Sequence, residues 1–290
     1  MKRPGAPRKL LNLLAMDMRN GLRSSMLVVP PLFCMGAIMA IGQVARARST
    51  FPHLAFSVPD IVLRVLMAAE TPINPPPDLV INRDTELPFI WVIALALILM
   101  ASVIYPLRDL RGIGAQALVA SGSRRSWWLA KCIWVVVTSI GAYASMLAGV
   151  VIATLLLGGE ASLDLSPVAL QAGRTGFASV RGLSDGFAGF LGLSFLALAC
   201  LSIIQLLVSF AWGPMAALGG AMVLLCSSHF VRSPLLVGNY LMALRSGLLD
   251  RWGTPWGIGV VSCLIQCGVC LLVGCCVFSR TDIFDRDSSW

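Results

Sequence analysis

Charge is what this sequence has least of. Asp, Glu, Lys and Arg supply 12% of its 290 residues, about half the share found in a soluble domain. So little polar surface cannot cover a water-soluble globule, which excludes a soluble enzyme. The 57% of hydrophobic residues excludes a disordered or collagen-like chain. Lysine is confined to Lys2, Lys9 and Lys131. None follows the glycine pattern of a phosphate-binding loop, so the sequence has no Walker A motif. Hydrolytic machinery is missing too. Ser227-Ser228-His229 has suitable residue types, but neighbours in sequence point in different directions on a helix. All nine cysteines, from Cys34 to Cys276, fall in apolar stretches. That argues against a disulfide framework and for small packing residues. Cys263, Cys267 and Cys270 share one helical face, yet no His or carboxylate joins them to complete a metal site.

What the sequence does have is long apolar runs. A helix crosses the hydrocarbon core with about 20 such residues, and six stretches fit: 26–44, 89–105, 132–157, 187–212, 215–230 and 256–278. Backbone in lipid must satisfy its own hydrogen bonds, so each stretch reads as a helix. The fourth and fifth adjoin across Gly213-Pro214, a tight turn. The first run is too long for the apolar region of a signal peptide and is read as a retained span. The fold class is therefore an all-α membrane protein with six transmembrane helices. An even number of spans puts both termini on one side. With that side cytoplasmic, segments 1–25, 106–131, 213–214 and 279–290 carry 13 Lys and Arg against 5 Asp and Glu. The outer segments 45–88, 158–186 and 231–255 carry 9 of each. The whole net charge of +8 then lies on one face, which predicts N-in, C-in and leaves a nucleic-acid partner without support.

No Asp, Glu, Lys or Arg lies within these spans as drawn, whereas ion-coupled transporters and proton pumps usually carry an intramembrane ionisable residue. Their polar content is thin: Thr138, Ser139, Tyr143, Gln205, Gln266, and His229 near an outer end, which could titrate in a transport cycle but is more simply solvated or hydrogen-bonded. Gly141, Ser145, Gly149 and Ala153 form a small-residue stripe that permits close helix contact, within the chain or between two copies.

On the cytoplasmic side, residues 8–23 predict an amphipathic interfacial helix with Leu10, Leu11, Leu14, Met18 and Leu22 on one face. Residues 107–131 are too polar to span and too long for a turn. Leu110, Ile113, Ala117 and Leu118 make an apolar stripe, and Ser121-Gly122-Ser123 ends that helix. Ser123 or Ser126 caps the next one. Arg124, Arg125 and Lys131 then hold its start at the interface, with Trp127 and Trp128 at headgroup depth. This spacing fits either an ordinary positive-inside loop or a surface helix that docks in another protein's groove.

The same segment resembles the region between the second and third spans of type-2 ABC exporter permeases. Arg108-Asp109 matches the family's acidic–basic start, with Asp109 where Glu is usual. Arg111-Gly112 matches its next step, although Gly114 stands in its threonine neighbourhood. Leu118 matches the leucine-rich turn, Ser121-Gly122 the break, Ser123-Arg124 the S-R pair and Lys131 the lysine at the next span. Phe278-Ser279-Arg280-Thr281-Asp282-Ile283 is similar to the family's exit from the sixth span. The resemblance implies a cytoplasmic coupling helix, with Arg108, Asp109, Arg111, Gly112, Leu118, Arg124 and Arg125 contacting a separate ATPase subunit that binds ATP and Mg. It further implies a second permease chain, same or related, and alternating access in a bacterial cytoplasmic membrane. By the same analogy the second and fifth spans line the pathway, here through Leu97, Met100, Leu218 and Met222, which suits a hydrophobic or amphipathic substrate. The alternatives are a non-transporting receptor or assembly subunit, or an intramembrane enzyme.

Outside, a short helix is expected at 61–69 in the proline-rich segment 45–88. In 231–255, Leu235, Leu236, Leu241, Leu244, Leu248 and Leu249 predict a short helix or helical pair, packed at the interface or forming a lid.

Overall fold

The computed structural model describes residues 6–50, 52–53, 55–67, 88–110, 123–163, 183–247 and 253–280. Regular structure among them is helical. Helix α1 spans Ala6–Ser25, α2 Val29–Thr50, α3 Val58–Val65, α4 Phe89–Leu110, α5 Arg124–Leu156, α6 Leu183–Trp212, α7 Pro214–Phe230 and α8 Trp256–Arg280. Two short 3-10 helices, Val237–Leu241 and Ala243–Arg245, lie between α7 and α8. Helices α2, α4, α5, α6 and α8 are long and apolar enough to cross a membrane. Helix α7 is equally apolar but has 17 residues, about 26 Å against a hydrocarbon core of about 30 Å.

The organising element is α5. Its 33 residues run about 50 Å, and it touches α1, α2, α3, α4, α6 and α8. Its tightest neighbour is α2. A Cβ added to Gly36 would stand 2.0 Å from the Met146 carbonyl oxygen, and one added to Gly149 would stand 2.1 Å from that of Phe33. Two backbones thus meet with no side chain between them. Ser145 Oγ donates to the Val29 carbonyl at 3.0 Å, and Ala153 is buried. The small-residue stripe is spent inside the chain, apart from Gly141, whose added Cβ would meet nothing within 4 Å.

At the α6–α7 turn, Gly213 takes φ +89°, a conformation open to glycine. Pro214 then starts α7, where its missing N–H costs nothing. Helix α3 starts at Val58, before the expected 61. Ser57 and Asp60 form a reciprocal cap there: the Asp60 N–H donates to Ser57 Oγ at 3.4 Å and the Ser57 N–H to Asp60 Oδ2 at 2.7 Å. The helix ends at Val65, and residues 68 and 69 of the expected helix lie outside the described residues.

Between α7 and α8, where a short helix or helical pair is expected, the described residues form the two short 3-10 helices. The first of them is buried, with Val237, Gly238, Asn239, Tyr240 and Leu241 all inside. Side chains supply the carbonyls that lead into it with donors, as buried backbone requires. Asn239 Nδ2 donates to Ser233 at 2.8 Å, Tyr240 Oη to Pro234 at 2.6 Å and Gln266 Nε2 to Leu235 at 3.1 Å. A Cβ on Gly238 would come within 2.4 Å of Ser228 Oγ, so this close seat excludes a larger residue. Leu248 and Leu249 of the expected pattern lie outside the described residues. His229 is fully buried, and its carbonyl accepts Arg245 Nη2 at 2.7 Å.

Trp127 and Trp128 also depart from expectation. They are turned into the bundle, fully buried, not out toward headgroups. Trp128 stacks on Phe278 with ring centroids 5.0 Å apart, and Phe210 meets both rings edge-on. Trp128 Nε1 donates to the Leu271 carbonyl at 3.2 Å, which gives its polar atom a partner in the interior.

Candidate functional site

Lys131, expected at the lipid interface, is buried inside the protein instead. Lys131 is 0% exposed, and its Nζ lies 2.5 Å from Asp17 Oδ1 and 2.6 Å from Asp109 Oδ2. Tyr105 Oη donates to the same Asp17 Oδ1 at 3.0 Å. The ammonium also sits 4.9 Å from the Tyr105 ring centroid and 5.4 Å from that of Trp127, within cation–π range. Four side chains from α1, α4 and α5 make one contact.

Each helix brings its member here for a local reason. Helix α5 begins at Arg124, well before the span expected from 132, because Ser123 caps it: the Ser126 N–H donates to Ser123 Oγ at 3.4 Å. Lys131 is therefore two turns inside a helix and not at its rim. Helix α4 continues through Pro106 to Leu110, past the expected end at Tyr105. Tyr105 and Asp109 then lie four apart on one face. In α1 the buried residues are Leu13, Asp17 and Gly21, whereas Leu11 and Leu22 are exposed. The apolar face expected from Leu10, Leu11, Leu14, Met18 and Leu22 is therefore rotated. Two contacts set that rotation: the Asp17–Lys131 pair, and Gly21, where a Cβ would come within 2.6 Å of the Trp134 ring.

The cluster is electrostatically lopsided. Bringing an ammonium or a carboxylate out of water costs several kcal/mol per ion, recovered when the charges are paired and fully hydrogen-bonded. One lysine faces two aspartates. Burial pushes the Asp17 carboxyl up from its ordinary value, with Asp109 adding to the rise, against the downward pull of Lys131 and the Tyr105 hydrogen bond. Asp17 Oδ2 is buried with no hydrogen-bond partner.

Among the expected coupling residues, Asp109 is buried in this cluster, Arg124 is half-buried, and Arg108 and Arg125 are exposed. Arg111, Gly112 and Leu118 lie outside the described residues, as does the expected surface helix they belong to. Of the expected pathway residues, Leu97 and Met100 are exposed on α4, and Leu218 and Met222 are half-buried on α7. Helices α4 and α7 are in contact. Asp17 was the member that sequence reasoning missed. The signal was available: it is the one acidic residue in positions 1–25, and it falls among Leu13, Leu14, Met18 and Gly21 at helical spacing. Among the described residues, no group of three or more His, Cys, Asp or Glu is placed to hold a metal ion.

No protein-family model matches this chain, and no curated protein or solved structure was found to be similar to it.

Proposed function

We propose that the chain is the membrane-spanning permease subunit of an ATP-driven type-2 ABC exporter. In this reading α7 is a sixth, short span, and both termini face the cytoplasm of a bacterial cell. Helix α1 lies along the inner membrane surface. A separate ATPase subunit binds ATP and Mg and contacts residues 107–131. The observation that carries the reading is mechanical. The chain enters the 110–122 segment just after Asp109 and leaves it toward Lys131, and these two residues hold each other at 2.6 Å. Asp17 adds α1 to the same contact. A push on that segment reaches α1, α4 and α5 together, as a rigid transmission requires. Exposed Leu97 and Met100 on α4, with Leu218 and Met222 on α7, present an apolar, sulfur-containing wall toward a second permease chain. A hydrophobic or amphipathic substrate suits that wall.

Purification tests this directly. The permease co-purifies with a nucleotide-binding chain, and Arg111→Glu, Arg124→Glu or Arg125→Glu weakens that association and lowers ATP turnover. Unchanged association and turnover in all three variants would refute the docking. An activity shown by the chain alone would point to an embedded enzyme.

A further inference from the structure

The cluster around Lys131 holds one negative charge more than its lysine can balance. Asp109 Oδ2 takes the ammonium at 2.6 Å and Asp17 Oδ1 takes it at 2.5 Å. Asp17 Oδ1 also accepts the Tyr105 hydroxyl. Asp17 Oδ2 accepts nothing, although it is buried and the side chain is 1% exposed. Among the described residues, the titratable and charged groups facing Asp17 are Tyr105 and Asp109 from α4 and Lys131 from α5, the helices packed against α1. Arg19 on α1 and Arg108 on α4 are nearby in sequence but exposed. A buried carboxylate pair with a single counter-charge takes up a proton sooner than it keeps both charges.

We propose that the Asp17–Asp109 pair is a proton-binding site that holds one proton, on Asp17 Oδ2, while α1 is docked. The proton makes the cluster neutral and leaves Asp17 Oδ1 free to accept from both Lys131 and Tyr105. Docking of α1 is thereby linked to pH. The docked carboxyl binds its proton more tightly than a free aspartate, whose pKa is about 3.9. Docking is therefore fully supported at low pH and is lost as pH rises through the docked value. This site stands on the cluster alone, whatever the chain transports, and its test needs no ATPase.

Infrared difference spectra of the full chain in lipid nanodiscs read the proton directly. At neutral pH, the wild-type minus Asp17→Asn spectrum contains the C=O stretch of one protonated carboxyl. In Asp109→Asn the lysine serves Asp17 alone, and the band disappears at the same pH. That second variant keeps the test open should Asp17→Asn fold poorly. Hydrogen exchange of the α1 amides, corrected for the intrinsic pH dependence, quickens at alkaline pH in the wild type and stays flat in Asp17→Asn. A wild-type protein with α1 protected and no such band overturns the proposal. So does a band that survives Asp17→Asn at full strength, or one that persists in Asp109→Asn.

Discussion

Alanine at Gly149 should loosen this protein even though alanine is the better helix former. In an unobstructed helix the exchange gains about 0.8–1 kcal/mol. Here the new Cβ would lie 2.1 Å from the Phe33 carbonyl oxygen, 3.0 Å from its carbon and 3.1 Å from the Ala37 nitrogen. A carbon rests about 3.3 Å from such an oxygen, so α2 and α5 must part by about 1 Å. The obstructing atoms are all backbone, so no rotamer change relieves them. Parting also stretches the Ser145–Val29 hydrogen bond from 3.0 Å and loosens Leu32, Met146 and Val150 in the core. Overpacking of this kind costs roughly 1–3 kcal/mol, which outweighs the helix term. We expect a net loss of about 1–2 kcal/mol. Gly141→Ala is the internal control. It lies on the same helix with nothing within 4 Å of its added Cβ, so only the helix term acts and stability rises. Reversible unfolding of both variants in mixed micelles, followed by circular dichroism, compares them. Equal stabilisation by the two substitutions would show that the α2–α5 crossing is not closed by backbone contact. The double variant Gly36→Ala/Gly149→Ala should lose less than the two single losses combined, because both open the same gap.

Removing the lysine tests the charge cluster. Lys131→Met leaves the buried Asp17–Asp109 pair without its counter-charge and should cost about 3–5 kcal/mol. Adding Asp109→Asn to that background should restore part of the loss, and a thermal melt of the single and double variants reports it. Gly274→Ala would put a Cβ 2.2 Å from Trp128 Cε2. It should displace the indole, lose about 1–3 kcal/mol and change the near-ultraviolet circular dichroism of the aromatic cluster. An unaltered spectrum would mean that α8 has room to spare at that point.

The helical elements were legible because hydropathy acts along the chain. Six apolar runs correspond to α2 and α4–α8, and the Ser123 cap and the Gly213-Pro214 turn follow from local backbone chemistry. What hydropathy hid were the places where polar groups find partners far away in sequence. Lys131 was assigned to the interface because a lone lysine avoids hydrocarbon. Asp17 and Asp109 reverse that preference, and neither is near it in the chain. The face of α1 was misjudged for the same reason: Gly21 and Asp17 bury themselves against Trp134 and Lys131, which leucine counting ignores. Leucine spacing over 231–255 pointed to short helix but not to its 3-10 form, nor to Asn239, Tyr240 and Gln266 donating to the carbonyls that lead into it. The individual contacts of Arg111, Gly112 and Leu118 rest on the family resemblance.

The salt-bridged acid of α1 precedes its lysine by 114 residues. At a synthesis rate of roughly 5–20 residues per second, a ribosome needs about 6–23 s to cover that stretch. Throughout this interval Asp17 is without its Lys131 partner. Docking of α1 through this contact therefore waits for the synthesis of α5.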